Sequence, residues 1–110
     1  MATSKEYLQF VLDQLSDLPE ITYRGMMGEY ILYNRGKIAA YLCDNRLLVK
    51  ITPSAEAMMP DASREAPYEG AKEMLAVDAV DDRAFLCRLF EAMYDELPSP
   101  SPRKSKTTRR

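Results

Sequence analysis

The segment at residues 26–43, MMGEYILYNRGKIAAYLC, constrains the fold more than any other part of the chain. Its two runs of aromatic, β-branched and other apolar residues, 30–33 and 38–43, are typical of half-buried strands. The four residues between the runs, NRGK, have the composition of a tight turn. The pattern therefore predicts a β-hairpin. We expect Gly36 to adopt the positive φ that closes a type I turn with a bulge. We expect the Asn34 side chain to form a hydrogen bond with the backbone that follows it.

Further strands are predicted on both sides of this hairpin. Residues 21–24 alternate apolar and polar β-formers, which indicates a short strand at a sheet edge. Gly28 is then the corner that leads into the next strand; a phosphate-binding backbone is the alternative there, but no Lys-Ser/Thr follows and no helix opens. Residues 46–51, after an Asp-Asn turn, and residues 73–77 complete the sheet. Apolar residues on both faces of several strands predict a sheet covered on both sides at least in part.

Two amphipathic helices are predicted, one before and one after the sheet. Ser4 is the expected cap of the first, which covers residues 4–17 and stops before Pro19, because proline cannot continue a helix. An aspartate at position 78, 81 or 82 caps the second, near residues 82–97. Both helices carry an apolar stripe at helical spacing, so each should bury one face.

The chain between the last two strands is rich in prolines and polar residues. A brief helix at residues 55–59 is expected there, because Thr52-Pro53-Ser54 can start a helix and Pro60 stops it. Residues 61–70 are expected to form an ordered loop that crosses the fold with Tyr68 tucked in.

The length of the chain fits one domain with one modest core, for which we expect residues 1–97. Residues 98–110 contain serines, prolines and basic residues but nothing to bury, so they are predicted to form a disordered tail. The chain shows no secretory signal and no apolar run that could cross a bilayer, which predicts a cytoplasmic protein.

Charge is distributed unevenly along the chain. Residues 1–98 carry a net charge of −7, whereas residues 99–110 carry +5. A flexible segment with five cations predicts weak, salt-sensitive and sequence-independent contact with nucleic acid, and a tail that merely solubilises is the alternative. The candidate contact residues are Arg103, Lys104, Lys106, Arg109 and Arg110.

The sequence contains no histidine, which removes Ser-His-Asp and Cys-His catalysis, histidine general bases and the usual zinc and haem ligand sets. Cys43 and Cys87 are far apart in the sequence and are expected to be buried free thiols. The aspartates at positions 78, 81 and 82 lack the glycine and the later glutamate of a calcium loop. These absences favour a protein without a catalytic, metal or cofactor site.

Tyrosines are concentrated on the hairpin strands. Tyr30, Tyr33 and Tyr41, with Tyr23 beside them, would make a recognition surface if they share an exposed face. Burial of these rings under the helices is the alternative interpretation.

A family resemblance rests on the order of these elements and on one motif. A helix is followed by TYRGMMGEYILY at residues 22–33, and then by the turns at Gly36 and Asp44. This pattern resembles the N-terminal domain of the TfoX/Sxy family of bacterial competence regulators. The resemblance covers about residues 4–97 and continues through PYEGA and the Asp-Asp start of the last helix. The signature positions are Met26, Met27, Gly28, Tyr30, Tyr33 and Gly36.

The resemblance implies an α+β domain in which a curved antiparallel sheet of about five strands carries N- and C-terminal helices packed on it. It implies no enzymatic activity, no cofactor, and no catalytic or ligand residues. Longer family members add a helical C-terminal domain and are associated with transcriptional activation of DNA-uptake genes together with the cyclic-AMP receptor protein. Here we expect a stand-alone domain followed by a basic tail.

Two functions are compatible with the sequence. The first is a regulatory interaction module linked to competence, which forms a homodimer or binds a protein partner through the sheet edge or a tyrosine-bearing face. The second is a small-molecule-binding or enzymatic domain that uses a cavity between sheet and helices. The missing histidine and the absence of a cofactor motif favour the first.

Overall fold

The structure is a computed structural model that describes residues 3–98. Its strands form one antiparallel sheet of six strands in the order β1-β2-β3-β4-β6-β5. The predicted α+β fold with N- and C-terminal helices is confirmed. The elements in chain order are α1 (Lys5–Gln14), β1 (Ile21–Met26), β2 (Glu29–Asn34), β3 (Lys37–Cys43), β4 (Arg46–Val49), α2 (Pro53–Met58), β5 (Arg64–Glu65), β6 (Met74–Ala76) and α3 (Arg83–Tyr94).

Several details of the predicted elements need correction. The brief helix is Pro53–Met58 instead of 55–59, β4 ends at Val49 instead of residue 51, and the last helix ends at Tyr94 instead of residue 97. The sheet has six strands because Arg64 and Glu65, expected in a loop, pair with β6. The first helix ends at Gln14 instead of residue 17, because the chain tightens at Leu15 and Ser16 into short-range bonds of the 3₁₀ type. Ser4 caps this helix as expected, since its hydroxyl accepts from the Tyr7 N–H at 3.1 Å.

Three two-residue turns build the meander from β1 to β4. The turn residues are Met27-Gly28, Arg35-Gly36 and Asp44-Asn45, and all six have positive φ, from 49° to 86°. Positive φ at both central residues is the requirement of a type I′ turn, whose twist matches that of the flanking strands. The positive φ of Gly36 is therefore confirmed, but the expected type I turn with a bulge is wrong. Gly28, expected to be a corner, is the second residue of the tight turn that joins β1 and β2 into a hairpin.

Asn34 has a different role from the one expected at the start of the turn. Its side chain is fully buried, and its Nδ2 donates to the Phe90 carbonyl at 3.3 Å. Two residues beside Gly36 also contact α3. Lys37, the first residue of β3, donates from Nζ to the Tyr94 carbonyl at 2.9 Å, and the Arg35 guanidinium lies 3.9 Å from the centre of the Tyr94 ring. The β2–β3 turn is thus docked on the C-terminal half of α3.

The main core lies between one face of the sheet and helices α1 and α3. Asp82 caps α3, since its Oδ1 accepts from the Phe85 N–H at 3.0 Å, which selects one of the three aspartates considered. Burial of apolar side chains across this interface supplies most of the driving force for the fold. The largest fully buried side chains of this core are Val11, Leu15, Leu32, Leu42, Leu47, Val49, Leu86, Leu89, Phe90 and Met93.

A smaller apolar cluster lies on the opposite face of the sheet. Cys43, Leu48 and Met74 are buried there, with Tyr41 and Ala76 packed against them. Its members all belong to strands β3, β4 and β6, so within residues 3–98 this cluster contains no helix residue. The structure therefore agrees with the prediction of partial cover on both sides. None of the helices within residues 3–98 has the length and apolarity to cross a membrane.

Candidate functional site

Strand β1 forms one edge of the sheet and is exposed along most of its length. The side chain of Tyr23 is 51% exposed and that of Met26 is 42% exposed. Met27, in the following turn, is 96% exposed. Within residues 3–98 no strand pairs with the outer edge of β1, so its backbone groups can bind a further strand. The predicted edge strand is confirmed and extends to Met26.

The direction of the backbone groups on β1 follows from one bond at its start. The Arg35 N–H donates to the Glu20 carbonyl at 2.8 Å, so residue 20 faces the neighbouring strand. In an antiparallel ladder these groups alternate between the two sides of a strand. The N–H and C=O groups of Ile21, Tyr23 and Gly25 therefore point away from the sheet, along the free edge.

A shallow groove of about 460 Å³ lies on the helix side of this edge. It separates the end of α1 from β1, and Tyr23 and Ile21 form one wall. Its other apolar lining residues are Leu12, Leu15, Leu18 and Pro19. The free backbone edge and an apolar surface are therefore side by side, a combination suited to binding a strand with apolar side chains.

The four tyrosines of the hairpin region do not share one face. Tyr23 and Tyr30 lie on the helix side, where their rings meet edge to face at 5.9 Å between centroids. Tyr33 and Tyr41 lie on the opposite side, as their strand registers require. A single recognition surface of tyrosines is therefore not formed. Only Tyr23 of the four is largely exposed.

A larger groove of about 800 Å³ starts on the helix-free face and reaches the end of α3. Tyr68, expected to be tucked in, is 56% exposed at this groove. Burial and the neighbouring Tyr68 and Tyr33 hydroxyls raise the pKa of Tyr41. The hypothesis of a cavity between sheet and helices needs correction, because that space is filled by the main core. The polar lining residues are Lys50, Thr52, Lys72, Glu73 and Glu96.

Hydrogen bonds from Thr3 and Ser4 connect the β1–β2 turn with the β3–β4 turn. The Thr3 N–H donates to the Gly28 carbonyl at 3.0 Å, and the Thr3 hydroxyl donates to Glu29 Oε1 at 2.6 Å. Glu29 also accepts from the Asp44 N–H at 3.2 Å, and the Ser4 N–H donates to Asn45 Oδ1 at 2.9 Å. These bonds hold the Met27-Gly28 turn, at the end of β1, in a defined position.

Loss of the Thr3 hydroxyl should weaken this connection. We expect Thr3→Val to lower the free energy of unfolding by about 1–2 kcal/mol, because Glu29 then loses a donor in a partly buried site. Urea unfolding of Thr3→Val, Glu29→Gln and the double variant measures the coupling. Strictly additive losses in this double-mutant cycle would show that the two side chains do not interact.

The two cysteines are free thiols in different surroundings. Cys43 is buried, and burial, together with the nearby Glu29 carboxylate, raises its pKa to about 11. Cys87 is half-buried on α3, its pKa is also raised by burial, and its Sγ donates to the Gln14 carbonyl at 3.7 Å. The prediction of a buried thiol is thus confirmed for Cys43, whereas Cys87 is only partly buried. In the part of the chain that the structure describes, no three Cys, Asp or Glu side chains cluster as metal ligands.

The raised pKa of Cys43 gives a pH dependence with a definite sign. The folded chain keeps a proton that the unfolded chain releases above its ordinary thiol pKa, so stability should fall as pH rises from about 9 to 11. Urea unfolding across this range should show a smaller fall for Cys43→Ala. Burial raises the pKa of Tyr7 in both proteins, so the contribution of Tyr7 cancels in the comparison. Cys43 is one of the groups that raise the pKa of Tyr41, so its removal also reduces the contribution of Tyr41, in the same direction. Equal slopes would mean that the thiol stays accessible to water.

The signature positions lie on β1 and β2 and in the turns that follow these two strands. Met26, Met27 and Gly28 end β1 and turn the chain, Tyr30 and Tyr33 lie on β2, and Gly36 closes the next turn. Of the six, only Met26 belongs to β1 itself. The tail residues predicted to contact nucleic acid, Arg103, Lys104, Lys106, Arg109 and Arg110, lie outside the described residues.

Sequence reasoning placed β1 at an edge but did not identify which of its residues direct their backbone N–H and C=O groups away from the sheet. The Ile21-Thr22-Tyr23-Arg24 alternation was the available signal. It shows which side chains share a face, whereas the outward direction of the backbone groups depends on the pairing with β2.

Two comparisons with known proteins each match most of the chain. A family model described as the TfoX N-terminal domain matches residues 13–97, which include all six signature positions. The chain is also similar to the "Uncharacterized 12.7 kDa protein in trpE 5'region" of Spirochaeta aurantia. The two are 37% identical over 108 residues, which cover 97% of this chain and 94% of that protein. No solved structure matches the chain significantly.

Proposed function

Because the chain belongs to the TfoX N-terminal domain family, we propose that it is a non-enzymatic regulatory domain that binds a protein along the outer edge of β1. The single observation that carries this proposal is the exposed edge of β1 beside an apolar groove, an edge with which no strand of residues 3–98 pairs. In this proposal, binding at this edge serves transcriptional regulation of competence, the process with which the resemblance associates the family.

The composition of β1 supports binding at this edge. Proteins commonly protect edge strands with lysine, proline or a bulge, because unpaired backbone groups recruit other chains. β1 contains no proline and no lysine, its one charged residue is Arg24, and its pairing with β2 is regular over six residues. The exposed residues at its end, Tyr23, Met26 and Met27, are of types enriched in protein interfaces.

A site-specific photocrosslinker tests the proposed surface. A benzophenone amino acid replacing Tyr23 should yield one defined protein adduct in the native cytoplasm, and excess unlabelled protein should compete it away. Tyr68 is the matched control, since it is also an exposed tyrosine but lies at the groove beyond β3. A defined adduct from position 68 with none from position 23 would contradict the proposed surface.

The groove beside Tyr41 supports a second candidate, small-molecule binding. Its volume of about 800 Å³ falls within the usual range of ligand sites, and it combines aromatic rings with lysine and glutamate side chains. A thermal-shift screen with a metabolite library tests it, because a ligand at 100 times its Kd stabilises the folded state by about 2.7 kcal/mol. Tyr41→Ala should remove the shift, and a screen without any specific shift would count against this function.

Any affinity for DNA should reside in residues 99–110. The ten basic and seventeen acidic residues of positions 3–98 give −7, which repels phosphate. If all five tail cations contact phosphates, raising salt from about 50 to 200 mM should weaken binding on the order of 500-fold. Deleting residues 99–110 should abolish binding in fluorescence-anisotropy titrations and leave the thermal midpoint nearly unchanged. Salt-resistant binding by the truncated chain would instead assign DNA recognition to the folded domain.

A further inference from the structure

We propose that the protein bound at the β1 edge is a second copy of this chain, with the two β1 strands pairing antiparallel about a two-fold axis through Thr22. The pairing joins two six-stranded sheets into one continuous sheet. This inference rests on the proposed function, because it names the partner of the same edge.

The backbone of β1 fits this register. Opposed residues must lie on the same face of a continuous sheet, so the two-fold axis passes through a residue. With the axis at Thr22, Ile21 of each copy is opposite Tyr23 of the other. Both residues direct their N–H and C=O groups outward, as the Arg35 to Glu20 bond implies. The two Ile21–Tyr23 pairs therefore exchange four backbone hydrogen bonds.

The side chains select the same register. On the helix-free face, Glu20 of each copy lies opposite Arg24 of the other, and Thr22 lies opposite its symmetry mate. On the helix side, each Ile21 lies opposite a Tyr23 ring. Opposite-charge, threonine–threonine and aromatic–β-branched pairs are the cross-strand pairs that stabilise antiparallel sheets. Glu20 and Arg24 are both exposed in the single chain and are free to make these contacts.

Other symmetric registers lose this complementarity. An axis through Arg24 places the two arginines opposite each other, which is destabilising. An axis through Tyr23 places Arg24 opposite Thr22 and Glu20 opposite Met26, so no ion pair is directly opposed. The charges of the Glu20–Arg24 segment therefore specify the Thr22 register.

The groove beside β1 gives the pairing an apolar anchor. In the Thr22 register, Tyr23 of one copy lies opposite Ile21 of the other, and Ile21 lines the groove at the end of α1. The 51% of the Tyr23 side chain that is exposed in the single chain then meets Leu18 and Pro19 of the second copy. Buried aromatic anchors of this kind dominate binding at protein interfaces.

Charge-reversed variants of the full chain test this register by sedimentation equilibrium. In a dimer of Glu20→Arg chains, an arginine at position 20 of each copy lies opposite Arg24 of the other, which gives two repulsive pairs of cations. In a dimer of Arg24→Glu chains, the same two positions give two repulsive pairs of anions. Each variant should therefore dimerise at least about tenfold more weakly than the wild type. An equimolar mixture of the two variants should recover a heterodimer of near wild-type affinity, because every opposed pair is then of opposite charge. Both positions are exposed, so at a protein concentration low enough to keep all the chains monomeric, the urea midpoints of the variants should stay close to that of the wild type.

The possible outcomes separate this inference from the proposed function. Recovery of the dimer only in the mixture supports the Thr22 register. A dimer that is insensitive to either reversal, or a mixture that stays monomeric, overturns it. A chain that is monomeric at all concentrations overturns it as well. If that monomeric chain still forms an adduct with a different protein from position 23, the proposed function stands with another partner; if no adduct forms, both fail.

Discussion

Replacing Phe90 with alanine should lower the free energy of unfolding by about 3–5 kcal/mol, which is a large share of the stability of a small domain. The ring is fully buried among the side chains that α1, α3 and the sheet contribute to the main core. Its removal leaves a cavity that a close-packed interior cannot fill without strain. Urea unfolding measured by circular dichroism gives the loss as a shift in midpoint at constant slope.

Phe10 on α1 is the matched control for this substitution. Its side chain is 40% exposed and its ring makes one tilted contact with Tyr7 at 6.3 Å between centroids. Phe10→Ala removes the same atoms from a site that water already reaches, so it should cost less than about 1 kcal/mol. Comparable losses for Phe10→Ala and Phe90→Ala would mean that α3 is not packed on the sheet as described.

Replacing Gly36 with valine should lower the free energy of unfolding by about 1–3 kcal/mol. Gly36 has a φ of 86° in the two-residue turn between β2 and β3, where a β-branched side chain collides with its own backbone. The cost extends beyond the turn because Arg35 and Lys37, on either side, contact Tyr94 of α3. Strain at Gly36 therefore also disturbs the docking of the hairpin on the helix.

Gly25 provides the control, because it lies in β1 and a Cβ there would meet the Tyr30 ring at ordinary contact distances of 3.6–3.8 Å. Gly25→Ala should change stability by less than about 0.5 kcal/mol, while Gly36→Ala should cost about 1–2 kcal/mol. Equal midpoints for Gly36→Val and the wild type would show that the turn does not use a left-handed residue at position 36.

Local pattern was sufficient to predict most elements of this protein. The alternation at residues 21–24 and the apolar runs at 30–33 and 38–43 predicted strands, the apolar stripes predicted helices near both ends, and Ser4 was predicted as a cap. These predictions succeed because strand alternation, helical spacing and capping depend on residues within a few positions of each other. The family followed from the same local motif, MMGEY with its flanking strands.

The predictions that failed depended on residues far apart in the sequence. Asn34 was assigned a local bond, but its amide reaches Phe90, 56 positions later. The tyrosines were considered as one surface, but the strand registers divide them between the two faces. Arg64 and Glu65 became a strand only because β6 lies beside them. A propensity of a few tenths of a kcal/mol does not decide such cases, because packing and pairing energies are larger.

The candidate site shows the same division. The sequence by itself determined that residues 21–24 form an edge strand with alternating faces, because side-chain period is a property of the strand alone. Only the tertiary structure decided that Ile21 and Tyr23 present their backbone groups to the outside and that the end of α1 adds an apolar groove beside them. Both depend on how β1 pairs with β2 and where α1 packs, and these long-range contacts are specified by the folded chain as a whole.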